Sequence, residues 1–126
     1  MIFTVPIRTV SALNMREHWA LKARRVKRER RETACYCLAN MKALAHYIGA
    51  AEAGVRLDVT LTRVAPSSGL DDDNLRGALK GVRDEIADAL GVDDRDPVVA
   101  WRYGQRRGKA KEWGVEVTVE ESTGAP

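Results

Sequence analysis

The chain has 126 residues, 44% hydrophobic and 31% charged, with 21 Lys and Arg against 18 Asp and Glu. That balance suits one soluble globular domain with its own core, and no apolar run approaches the roughly 18 residues a membrane span needs. Cys35 and Cys37 are too few and too close for a disulfide framework or a zinc site, and the opening Met1-Ile2-Phe3-Thr4-Val5-Pro6 has no basic stretch followed by an apolar one. A cytoplasmic protein without a secretory signal is therefore expected.

Phe3, Val5 and Ile7 alternate with Thr4, Pro6 and Arg8. This predicts a first strand, at a sheet edge because Pro6 lacks an amide donor. Residues 10–15 read as a loop. From Glu17 to Ile48 there is no Pro or Gly, so one long helix is expected, charged at first. Its later part carries Ala34, Cys37, Leu38, Met41, Leu44, Ala45 and Ile48 on one apolar face, and Gly49 and Gly54 close it. Val55, Leu57, Val59 and Leu61 alternate with Arg56, Asp58, Thr60 and Thr62 in a half-buried strand. Ala65-Pro66-Ser67-Ser68-Gly69 is a loop.

Asp71-Asp72-Asp73-Asn74 precedes a second helix, with Leu75, Leu79, Val82, Ile86 and Leu90 at helical spacing and Gly91 as its stop. Asp93-Asp94-Arg95-Asp96-Pro97 is a turn. Val98 to Tyr103 reads as a strand, Arg106 to Lys111 as a basic hairpin loop, and Val115, Val117 and Val119 as the core of a last strand. The order β-α-β-α-β-β predicts an α/β (α+β) domain over residues 1–121, a mixed sheet with two long helices packed on it. A polar, flexible tail is expected over 122–126.

Charge is unevenly spread. Residues 16–32 hold eight basic side chains against three acids, residues 71–96 nine acids against four basic ones, and residues 102–111 five basic side chains and no acid. The basic blocks suit a polyanion; the acidic block between them repels one unless it holds cations. In an extended segment residues two apart point the same way, so Asp71 and Asp73 would aim their carboxylates into one space. With Asp93, Asp94 and Asp96 brought alongside, carboxylates from two segments make a hard-oxygen site of the kind Mg²⁺ takes. A bound divalent cation activates water and offsets charge on a phosphodiester. The alternative is structural: Asp and Asn are favoured helix caps, and Asp-rich turns before Pro are common.

The motif Asp71-x-Asp73-Asn74-Leu75, an amphipathic helix, then Gly91-Val92-Asp93-Asp94 and Val98-Val99 resembles the core signature of the RusA family of Holliday-junction resolvases. The likeness covers roughly residues 54–120; the N-terminal third fits loosely, through a strand, Ser11 and Asn14 in a loop, and a basic stretch. It implies a Mg²⁺-dependent endonuclease, with Mn²⁺ as a substitute, acting as a homodimer on branched DNA (four-way junctions) and usually phage- or prophage-borne. It implies Asp71 and Asp73 as the first two catalytic carboxylates and Asp94 as the third, with Asp93 and Asp96 as alternates. The family's lysine three residues after the Asn falls here on Gly77, and Lys80, one turn further on, is the replacement expected.

Lys22, Arg24, Arg25, Lys27 and Arg28, with Arg106, Arg107 and Lys109, are the candidates for DNA backbone contact, against the alternative of solvated surfaces. Arg102 and Lys111 are further candidates for phosphate contact. Trp19 is expected as a packing anchor, His18 as a bystander and His46 as structural. Cys35, Tyr36 and Cys37 are expected to pack against the sheet or a partner, and Trp101 and Trp113 in the core or a dimer. No Gly-rich phosphate loop is present, so no nucleotide cofactor is expected. The rival reading is a catalytically weak or inactive RusA-like DNA-binding protein; a third is a small interaction protein with capping aspartates and solvating charges.

Overall fold

The alternating segments become four strands and the segments between them three helices. The computed structural model describes residues 1–10, 18–93 and 95–122. In chain order these form β1 (Ile2–Val5), α1 (Trp19–Ala39), α2 (Met41–Glu52), β2 (Leu57–Ala65), α3 (Asp72–Leu90), β3 (Val99–Arg107) and β4 (Gly114–Glu121). The sheet order is β1-β4-β2-β3. β4 runs antiparallel to both β1 and β2, while β2 and β3 are parallel and joined through α3. The α+β mixed sheet and the edge position of β1 agree with the expectation.

The core lies on one face of the sheet. Phe3 and Val5, Leu57, Val59 and Leu61, Val99, and Val115, Val117 and Val119 are all buried there. Against them pack Leu75, Leu79, Val82, Ile86 and Leu90, the five positions whose spacing predicts α3. The opposite residues of the strands, among them Thr4, Thr60, Thr62, Arg102 and Thr118, stay partly or fully open to solvent. Gly91 ends α3 at φ 72°, a left-handed conformation that carries little penalty for glycine.

Three expectations change. The single helix from 17 to 48 is two, broken at Asn40. The Asn40 side-chain amide donates to Tyr36 O at 2.8 Å, while its own carbonyl accepts from Ala43 and Leu44 to start α2. An Asn side chain that competes for the preceding turn's carbonyl ends one helix and starts the next. On the expected apolar face only Cys37 and Leu44 are buried; Leu38 is 68% exposed. The basic segment 106–111 is not a hairpin loop, because β2 lies between β3 and β4 and the segment crosses the end of β2. Ser122 is tied back, its amide donating to Arg56 O at 2.8 Å, and residues 123–126 of the expected tail lie outside the described residues. No helix among the described residues is long and apolar enough to cross a membrane.

Candidate functional site

The acidic triplet forms the start of α3. Asp71 is the N-cap, with φ −68° and ψ 168°, and its Oδ1 accepts from the backbone amide and the side-chain amide of Asn74, both at 2.9 Å. Asp72 and Asp73 fill the first turn, where negative charge complements the helix dipole. Because the helix begins at Asp72, the extended alternation expected across 71–73 does not apply. Asp71 and Asp73 are instead the cap and the second helical residue of one turn, and all three carboxylates are solvent-exposed.

What fixes this turn on the sheet is Gln105. Its Oε1 accepts from Leu70 N at 2.9 Å and its Nε2 donates to Leu70 O at 2.6 Å. This two-point clamp holds the residue before Asp71 to β3. Gly69 eases the approach, since a Cβ there would lie a tight 3.2 Å from the Gln105 amide.

The same end of the sheet turns polar in its helix-facing rows. On β2 the buried row Leu57, Val59, Leu61 continues to Arg63, which is 5% exposed. On β3 the row Val99, Trp101, Tyr103 continues to Gln105 and Arg107. Arg63 sits opposite Gln105, and Ala65 opposite Arg107. Arg63, Ser67, Ser68, Gly69, Gln105, Arg106 and Arg107 line an open cleft of about 400 Å³. It lies at the carboxyl ends of two parallel strands, beside the start of the intervening helix, where α/β sheets place ligands.

The second acidic cluster is elsewhere. Asp93 and Asp96 follow the other end of α3, where each accepts a local turn bond, from Arg95 N and Val98 N respectively, both at 2.9 Å. The 19 residues of α3 span roughly 28 Å at 1.5 Å per residue. Ligands of one Mg²⁺ lie only about 2 Å from it. Within one chain, therefore, Asp93 and Asp96 are not brought to Asp71 and Asp73. Asp94 lies outside the described residues. Among the described residues no group of three or more His, Cys, Asp or Glu is placed to hold a metal. Lys80 stands in the middle of α3 with its ammonium on Asp84 at 3.0 Å, and together with Asp84 and Asp93 it lines a shallow cleft towards the far end. Gly77 leaves open space where the family's lysine would stand.

α1 and α3 run side by side in the same sense: Arg25 and Glu29 face Gly77 and Gly81, and Arg30 reaches Glu85 and Asp88 at 2.9 and 2.6 Å. The basic half of α1 thus flanks the half of α3 that starts with the aspartates. Its cations divide. Arg25 is bound to the buried Glu29 at 2.9 Å and serves the helix interface rather than the surface. Lys22, Arg24, Lys27 and Arg28 are exposed. In the second basic block Arg106 is held by Glu116, while Arg107 and Lys109 are exposed. Bonding to Glu116 raises the Arg106 pKa further above its already high ordinary value.

No family model matches the chain, and no curated protein matches it. The remaining expectations are answered by position. Trp19 is 76% exposed and is no packing anchor. His18, expected as a bystander, caps α1 by accepting from Ala20 N at 3.2 Å. His46 is exposed and joins α2 to β4 through Glu121 at 2.9 Å. Trp101 and Trp113 lie half-buried under Arg83 and Arg8, with guanidinium-to-ring distances of 4.9 and 4.6 Å. Cys37 is buried and its thiol is pushed up to about 11, by burial first and by Glu85 second, while Cys35 is exposed. Arg63 and Gln105 escaped the sequence reading. The signal for Arg63 was present, since the alternation of β2 carried two residues further puts it in the inward row. Gln105 had none beyond its place in β3.

Proposed function

We propose that the chain is a RusA-type, metal-dependent endonuclease that cuts branched DNA as a homodimer, in the cytoplasm of a host cell. The observation that carries this reading is the pairing, at one end of the sheet, of two exposed carboxylates, Asp71 and Asp73, with an arginine-lined cleft. Carboxylates alone repel a phosphodiester and arginines alone only bind one; both together suit a phosphate that meets a cation. Asp71 and Asp73 fit Mg²⁺, which takes one or two carboxylates and completes its shell with water and substrate phosphate. Asp71 Oδ1 is committed to the cap, so Oδ2 is its available ligand atom. When bound, the cation acts as a Lewis acid toward the phosphate and toward water.

The length of α3 gives the homodimer a reason. Asp93 and Asp96, beyond the far end of α3, reach Asp71 and Asp73 only from a second copy; the resemblance offers Asp94 as the third carboxylate, with these two as alternates. A two-fold pair of copies makes two such composite sites, which suits paired cuts in a four-way junction. Lys22, Arg24, Lys27, Arg28, Arg107 and Lys109 hold the backbone through phosphate contacts.

The test is cleavage of a synthetic four-way junction with Mg²⁺. Asp73→Asn should abolish cutting and retain binding; parental cutting by this variant rejects the assignment. Two observations favour the rival, a DNA-binding protein without catalysis: Lys80 is paired with Asp84, and Gly77 stands where the resemblance expects a lysine. That reading predicts salt-sensitive binding, indifferent to Mg²⁺, and no nicking with any metal.

A further inference from the structure

The least expected residue at this end of the molecule is Arg63. It is a guanidinium in the inward row of β2, 5% exposed, and burial lowers its pKa. Its bonds go to neutral groups: Nε donates to Thr9 Oγ1 at 3.0 Å and Nη2 to Ser67 Oγ at 3.5 Å. Among the described residues it has no carboxylate within ion-pair distance. A buried cation is ordinarily paired, because two hydroxyl bonds do not replace the hydration it has lost. A neutral residue would tie Thr9 to Ser67 without that penalty.

The surroundings have the same sign. Among the described residues no acid lines the cleft that Arg63 enters. Arg107 is exposed beside it, and Ser67 and Ser68 add hydroxyl donors. Arg106 is already neutralised by Glu116 and contributes less. Guanidiniums with hydroxyls around one space match a tetrahedral oxyanion, and arginine favours phosphate through its paired N–H groups.

We propose that this cleft is a phosphate subsite, in which Arg63, Ser67, Ser68 and Arg107 hold an internal phosphodiester of the DNA strand next to the one presented to Asp71 and Asp73. The inference rests on the nuclease reading for the strand that carries the phosphate. The Gln105 clamp then has a second role: it spans from the cleft to Leu70 and fixes the spacing between bound phosphate and carboxylates.

The experiment follows the Arg63 Nε–H resonance and the Ser67, Ser68 and Gly69 amides by NMR in the full chain. The probes are a thymidine dinucleotide with one internal phosphodiester and no terminal phosphate, the same dinucleotide with a 5′-phosphate, and inorganic phosphate. The dinucleotide without a terminal phosphate should shift these four signals together. Arg107→Ala should weaken its binding by about tenfold, the effect of losing one charge-assisted contact. Ser68→Glu, which puts a carboxylate at the cleft, should abolish the shifts without lowering the melting temperature. Response to the terminally phosphorylated probes alone overturns the internal assignment in favour of a strand-end site. Silence of Arg63 toward every probe, in protein that still cuts junctions, removes the subsite and leaves the nuclease. Shifts as expected in protein that never cuts, with Mg²⁺ or Mn²⁺, keep the subsite and remove the nuclease.

Discussion

Asp71 is asked to do two things, and substitution separates them. As a cap it uses Oδ1 to accept two bonds of 2.9 Å from Asn74. As the proposed metal ligand it needs negative charge. Asn is as good an N-cap as Asp, whereas Ala removes the cap at a cost of about 1 kcal/mol. Loss of the second bond, to an Asn74 side chain that is 8% exposed, brings the total for Asp71→Ala to about 1–2 kcal/mol. For a domain of this size that lowers the melting temperature by roughly 4–8 °C. Asp71→Asn should fall by less than about 2 °C, since it gives up only part of a helix-dipole interaction at an exposed site. Junction cleavage should be lost in both. Thermal unfolding followed by circular dichroism and a nicking assay on the same preparations read the two roles independently. If Asn unfolds as early as Ala, the capping account is wrong. If Asn cuts like the parent, Asp71 carries no metal.

Three other outcomes are expected. Gln105→Ala should destabilise the exposed clamp by only about 0.5–1 kcal/mol, yet speed hydrogen exchange at the Leu70 amide and depress cleavage more than binding; unchanged exchange there contradicts the clamp. Arg28→Ala should reduce the salt slope of DNA binding by about one unit with no change in stability, whereas Arg25→Ala, which removes an ion pair from the buried Glu29, should lower stability and leave the slope alone. A native-state thiol assay at neutral pH should find Cys35 reactive and Cys37 protected. The folded Cys37 thiol, at about 11, binds its proton longer than the ordinary thiol near 9, so stability is unaffected below pH 9 and falls as pH rises from 9 to 11; Cys37→Ala should flatten that loss.

Local signals in the sequence carried the helices and strands. Leu75, Leu79, Val82, Ile86 and Leu90 repeat at helical spacing before a glycine, and all five are buried where that spacing puts them. The break at Asn40 was missed because apolar periodicity continues through it; only side-chain competition for the Tyr36 carbonyl marks it. The sheet order was not legible, since β4 pairs with β2 across about sixty residues of chain and no local pattern encodes that choice. The separation of the two acidic groups needed only arithmetic: a continuous helix between Asp72 and Leu90 is a rod, and its ends do not meet. Arg63 was overlooked because the alternation of β2 was followed only to Thr62, one residue short of it.

The composite site is the claim on which the catalytic account turns, and mixing two inactive chains tests it. Asp73→Asn and Asp94→Asn proteins, each alone, should leave a four-way junction uncut. Mixed and re-equilibrated, they should form some dimers in which intact Asp71 and Asp73 of one copy are paired with an intact Asp94 in the other. Such a dimer has one working site and should nick a single strand where the parent makes paired cuts. A mixture that stays inert, although both chains fold, dimerise and bind the junction, contradicts a site shared between copies.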